Sequence, residues 1–175
     1  MSFSEKVKLW FSKVFGTTTP VENPVDNSGS PPWMDVAKRE LGVHETKHGE
    51  TARIIEYHSA STGKFKEDEI PWCASFVNWV FDQCKIPHQK DGNDALASSY
   101  DDFGIKLDSP KIGCVVTFRW SNGGRHVAFC SDFTSTQVKA LGGNQADLEH
   151  GSGGAVTEKW QNRSSVVAYR WPIKK

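Results

Sequence analysis

Three side chains of this 175-residue chain, Cys73, His126 and Asn144, have the types and surroundings that nucleophilic catalysis needs. Cys73 lies in the stretch Ile70-Pro71-Trp72-Cys73-Ala74-Ser75-Phe76-Val77-Asn78-Trp79-Val80-Phe81. Pro71 has no N–H to donate, so it belongs at or before a helix start. Beyond it Phe76, Val77, Val80, Phe81 and Cys84 recur with a 3.6-residue period, which predicts a buried helix opening near Cys73. A thiol in the first turn feels the positive end of the helix dipole, which favours thiolate. The same position also suits a small buried hydrophobe, and the local sequence does not choose between the two.

His126 opens a strand just after the turn Ser121-Asn122-Gly123-Gly124. Alternation puts His126, Ala128 and Cys130 on one face and Val127 and Phe129 on the other. Because Ala128 is small, the Cys73 helix is expected to pack on its face, bringing the imidazole to the sulfur as a base. Asn144 follows Leu141-Gly142-Gly143, whose glycines allow close backbone approach. An amide there can accept from the imidazole and fix its tautomer. The plainer readings are a strand histidine satisfied by its neighbours and an asparagine doing turn chemistry.

The elements that must position these residues change period along the chain. Residues 2–15 form an amphipathic stripe of Phe3, Val7, Trp10, Phe11, Val14 and Phe15, so residues 1–16 are expected to be an amphipathic helix. Residues 17–32, rich in Thr, Pro, Asn, Ser and Gly, read as a flexible linker. The main domain spans 33–175. It begins with helices expected over 33–41, 51–59, the Cys73 stretch and 95–103, stopped by Gly42, Pro87 or Gly104. After Pro110 the period falls to two. Strands are expected over 114–120, 125–131, 137–141, 155–160 and 166–171, with Gly142-Gly143 ending the third. Helices first and an antiparallel meander after them make an α+β fold.

Composition narrows the function. The formal net charge is zero, which gives no basic face for nucleic acid. No apolar run approaches the roughly 18 residues of a membrane span. The N-terminus lacks a signal-peptide pattern, so synthesis in the cytoplasm is expected, with any export using another route. The four cysteines have no metal-type spacing; Cys114 and Cys130 fall on strands expected to pair, where a bridge is geometrically open but not demanded. His44-Glu45-Thr46-Lys47-His48 matches the H-E-x-x-H pattern of zinc peptidases. That chemistry needs both histidines on one face of a continuous helix, and Gly42 and Gly49 bracket the segment closely.

The order IPWCASFVNWVF, then GRHVAF, then LGGNQ resembles the cell-wall hydrolases of the CHAP and NlpC type, within the papain-like superfamily. The segments LGVHE, Arg53 to Gly63, and Tyr169-Arg170-Trp171-Pro172 extend the likeness over Trp33 to Pro172. The resemblance implies a papain-like catalytic domain, with the nucleophile on a helix start packed on an antiparallel sheet. It implies Cys73 as nucleophile, His126 as base and Asn144 as orienting residue, with Gln145 or Glu69 assisting. Backbone N–H groups at the helix start would meet the oxyanion. The substrate would be an amide bond of bacterial peptidoglycan, and no metal or organic cofactor is implied. One departure is Cys114 after Gly113, where relatives carry aspartate. Two delivery routes fit: a phage-type lysin, or an antibacterial effector injected into a rival's periplasm, which would bring an immunity protein and a secretion-apparatus component as partners. The alternatives are a zinc peptidase through His44, Glu45 and His48, and an inactive cell-wall-binding module.

Overall fold

The computed structural model describes residues 30–46, 51–90, 92–147 and 153–173. The expected helix over 1–16, nearly all of the 17–32 linker and His48 lie outside the described residues. Among the described residues three helices come first: α1 (Pro32–Arg39), α2 (Ala52–Ser59) and α3 (Cys73–Gln83). A 3₁₀ segment, Ala97–Asp102, follows where an α-helix was expected over 95–103. The six strands are β1 (Ile105–Leu107), β2 (Val115–Arg119), β3 (Arg125–Phe133), β4 (Gln137–Ala146), β5 (Gly154–Asn162) and β6 (Val166–Trp171). They form one antiparallel sheet in the order β1-β6-β2-β3-β4-β5. The fold is therefore α+β, as expected. Among the described residues no helix is long and apolar enough to cross a membrane.

The two faces of the sheet bury different things. Val115, Val127, Phe129, Leu141 and Val156 join one core with Phe76, Val77, Val80 and Phe81 of α3 and Trp33, Met34 and Ala37 of α1. Each large apolar side chain buried this way contributes ~1.5–3 kcal/mol. On the other face Cys114, Val116, Phe118, Ala128, Cys130, Val138, Ala140 and Tyr169 pack among themselves. This second cluster is made by strand residues and by the residues flanking β2, with no helix residue in it. This corrects the expectation that α3 would cover the His126–Ala128–Cys130 face. Alternation sorted the residues properly, but bulk decided which face meets the helix. Val127 and Phe129 fill the space under α3, whereas Ala128, Cys130 and Ala140 pack with Val116 and Phe118 on the opposite face.

The turn before β2 forms with Cys114 in place after Gly113. Gly113 has φ +85°, and the Cys114 N–H donates to the Lys111 carbonyl at 2.9 Å. A Cβ on Gly113 would lie 2.3 Å from Pro31 Cγ, and the Gly113 carbonyl accepts from Trp33 Nε1 at 2.8 Å. The turn thus anchors α1 to the sheet. Cys114 and Cys130 lie side by side on the face opposite α3 as free thiols hydrogen-bonded to each other.

Candidate active site

Trp72 is the N-cap residue and α3 opens on Cys73. The first helical bond runs from the Phe76 N–H to the Trp72 carbonyl at 2.9 Å. Cys73 is only 6% exposed. Burial pushes its thiol up from the ordinary range, although the N–H groups of Val127, Ala74 and Cys73 itself pull the other way. Two of those N–H groups belong to the helix start; the other belongs to the residue after His126.

That Val127 N–H reaches the sulfur because the sheet opens beside it. The Cys130 N–H donates to the Cys114 carbonyl, so by alternation the Val127 N–H points toward β4. Pairing of β3 with β4 runs from Phe133↔Val138 to Phe129↔Leu141 and goes no further. From there β4 departs, and its register with β5 slips between Gly142 and Gln145. The expected strand end at Gly142-Gly143 is therefore a bulge inside a longer strand. Both glycines are required by contact. A Cβ on Gly143 would sit 2.3 Å from the Trp72 ring, and one on Gly142 would sit 2.8 Å from Ala128 Cβ and 3.3 Å from His126 Nε2.

His126 borders this opening from the opposite face, its Nε2 lying by Gly142. Its ring lies 6.2 Å from Phe118 and 6.0 Å from Trp120, tilted about equally to both. Its Nε2 is buried without a hydrogen-bond partner. Burial lowers the imidazole pKa from 6.5 to about 4. Arg125, one residue earlier, is ion-paired with Asp101 and ties the start of β3 to the 3₁₀ segment. Cys73 and His126 thus converge on one break in the sheet, the thiol from the helix side and the imidazole from the other. Both are neutral at rest.

The remaining candidates take different places. Asn144 sits in the bulge at φ +54°, and its Nδ2 donates to Glu45 Oε1 at 3.1 Å. Gln145 is buried, and its Nε2 donates to the carbonyls of Ala140, Gly142 and Thr157 at 3.2, 3.2 and 2.6 Å. It therefore holds the bulge in shape. Glu69 is exposed on the loop before α3. The described part of the zinc-type segment, residues 44–46, is not helical: His44 forms a β-bridge with Ala155, and the Glu45 N–H donates to the Gly154 carbonyl at 2.9 Å. Glu45 Oε1 also accepts from Trp72 Nε1 at 2.8 Å. Sequence reasoning weighed Glu45 as part of a metal motif and as the last residue of the LGVHE likeness, and nothing local in the sequence announces its partners 27 and 99 residues away.

A family model for the CHAP domain matches residues 65–144. The matched span opens in the loop before α3, takes in Cys73 and His126, and ends on Asn144. No curated protein matches the chain.

Proposed function

We propose, from the premise that residues 65–144 are a CHAP domain, that the protein cleaves an amide bond in bacterial peptidoglycan with Cys73 as nucleophile and His126 as base. One observation carries the assignment: the Cys73 sulfur is held at a helix start on the N–H of the residue next to His126. In this reaction the imidazole takes the thiol proton as the sulfur attacks the amide carbon. The tetrahedral oxyanion is met by backbone N–H groups of the α3 start. Collapse breaks the C–N bond, the imidazolium protonates the departing amine, and a thioester remains. Water, deprotonated by the same imidazole, then releases the acid and restores the thiol.

The test is digestion of purified sacculi by the full chain. Cys73→Ala and His126→Ala should abolish release of fragments, as should alkylation of Cys73, while a chelator should have no effect. A Cys73→Ala protein that digests normally would sink the proposal, and one that binds sacculi without ever cutting them in the parent form would point to a binding module. Mass spectrometry of the fragments identifies the bond, either muramic acid to L-alanine or within the stem peptide. We further propose delivery as an antibacterial effector, with residues 1–16 as a docking handle; the apolar stripe of that segment supports this. Deleting residues 2–15 should then abolish delivery and spare the activity of the purified protein, whereas unaffected delivery would count against it.

A further inference from the structure

Glu45 lies outside the family match, yet it touches both halves of the candidate site. Its segment is fixed to β5: the Gly42 N–H donates to the Val156 carbonyl at 3.0 Å, the Val156 N–H to the Val43 carbonyl at 2.8 Å, and the Glu45 N–H to the Gly154 carbonyl at 2.9 Å. From this anchored position one carboxylate oxygen, Oε1, accepts from Trp72 Nε1 at 2.8 Å and from Asn144 Nδ2 at 3.1 Å. Trp72 immediately precedes Cys73, and its ring lies flush on Gly143. Asn144 belongs to the bulge that opens the sheet beside Val127 and His126. The space around the carboxylate is shaped for it. A Cβ on Gly153 would lie 2.6 Å from Glu45 Oε2, and one on Gly154 would lie 2.8 Å from Oε1.

We propose that Glu45 is a positioning residue which, by holding Trp72 and Asn144 on a single oxygen, sets the Cys73 sulfur against His126. The inference rests on the assignment of Cys73 and His126 above. A hydrogen bond to an ionised acceptor is about twice as strong as a neutral one, so one carboxylate suffices to clamp two donors. The indole transmits the clamp to the helix start, and the asparagine transmits it to the bulge. Reacting groups must be placed within fractions of an ångström, and ~1 Å of misplacement can cost a hundredfold in rate.

The experiment compares the full chain with Glu45→Ala, Glu45→Gln, Trp72→Phe and the Glu45→Ala/Trp72→Phe double variant on soluble peptidoglycan fragments. Glu45→Ala should lower kcat roughly ten- to a hundredfold with KM held within about twofold. Glu45→Gln, which keeps an acceptor but loses its charge, should recover part of the loss. Trp72→Phe, which keeps an aromatic ring, smaller than the indole, and drops the N–H, should lower kcat, and the double variant should be little worse than Glu45→Ala, because both changes cut one linkage. The pH dependence of Cys73 alkylation, followed by peptide mapping, should also move in Glu45→Ala. An unchanged kcat, strict additivity, or a loss confined to melting temperature with an unmoved alkylation profile would overturn the inference. Should Glu45→Ala fail to fold, Glu45→Gln and Trp72→Phe decide it by the same readouts. Cys73→Ala run alongside separates the two claims: a dead Cys73→Ala beside a fully active Glu45→Ala refutes the clamp alone, whereas an active Cys73→Ala refutes the assignment beneath it.

Discussion

Burial sets the charge state of Cys73 and His126, the proposed nucleophile and base. It raises the Cys73 thiol and lowers the His126 imidazole to about 4, so the resting pair is thiol and neutral imidazole, not thiolate and imidazolium. Two measurements follow at the residue scale. The acid limb of kcat/KM should report the His126 base, remaining flat through pH 6 and falling with a midpoint near 4, well below the 6.5 of an ordinary histidine. A midpoint near 6.5 would show that the imidazole is solvated in the working enzyme. Stability responds with a definite sign. The folded pKa of His126 lies below its unfolded value, so its contribution is complete above pH 6.5 and is lost as pH falls toward 4. The loss should reach on the order of 3 kcal/mol by pH 4. Burial lowers His58 as well, and it acts in the same direction. Denaturant midpoints between pH 7 and 4.5 should therefore fall, and the fall should be shallower in His126→Gln.

At the scale of elements, the site depends on a helix that starts in the right place and a strand that leaves its partner in the right place. Gly143 is where they touch. Its Cβ position lies 2.3 Å from the Trp72 ring and 2.8 Å from Phe76 Cβ, both on or beside α3. Gly143→Ala must push the helix start from the bulge, so it should destabilise by roughly 1–3 kcal/mol and lower kcat more than tenfold, measured by urea unfolding and fragment release. Gly142→Ala meets Ala128 and His126 instead, and should lower kcat by displacing the imidazole. The sequence announced the helix well, because Pro71 and the stripe from Phe76 to Phe81 act locally. It announced the bulge poorly. Gly-Gly ends a strand or kinks one with the same composition, and only the register of β3, β4 and β5 tells them apart. Likewise the three residues of β1 are too few to show alternation, and their pairing with β6 is made over 60 residues away. Of the candidate site, the placing of Cys73 at a helix start and of His126 on a strand was legible from local pattern; the Glu45 linkage was not, since it exists only once β5, α3 and β4 have assembled.

Over the whole molecule, α3 lies between two unlike surroundings, and the second of them is polar. Its sheet side is apolar, but its other side carries a buried chain of hydrogen bonds. Tyr100 Oη donates to Asn78 Oδ1 at 2.5 Å, and Asn78 Nδ2 donates to Ser61 Oγ and to the Asp94 carbonyl, both at 3.0 Å. Ser61 Oγ and His58 Nδ1 each meet Ser75 Oγ at 3.0 Å. Asn78, Ser75, Ser61 and Tyr100 are each at most 1% exposed, so none of these groups can turn to water if a partner is removed. Asn78 is the hub, since it joins α3 to the 3₁₀ segment and, together with Ser75, to the loop after α2. Asn78→Ala would leave the Tyr100 hydroxyl and the Asp94 carbonyl unpaired in the interior and open a small cavity. The expected cost is about 2–4 kcal/mol. This loss should have a different character from that at Gly143 or Glu45. Asn78 faces away from the sheet opening, so molecules still folded should keep the wild-type kcat when active sites are counted by Cys73 alkylation in the cold. A kcat per folded molecule that fell in step with stability would mean that the polar side of α3, and not only its start, sets the geometry of the sulfur.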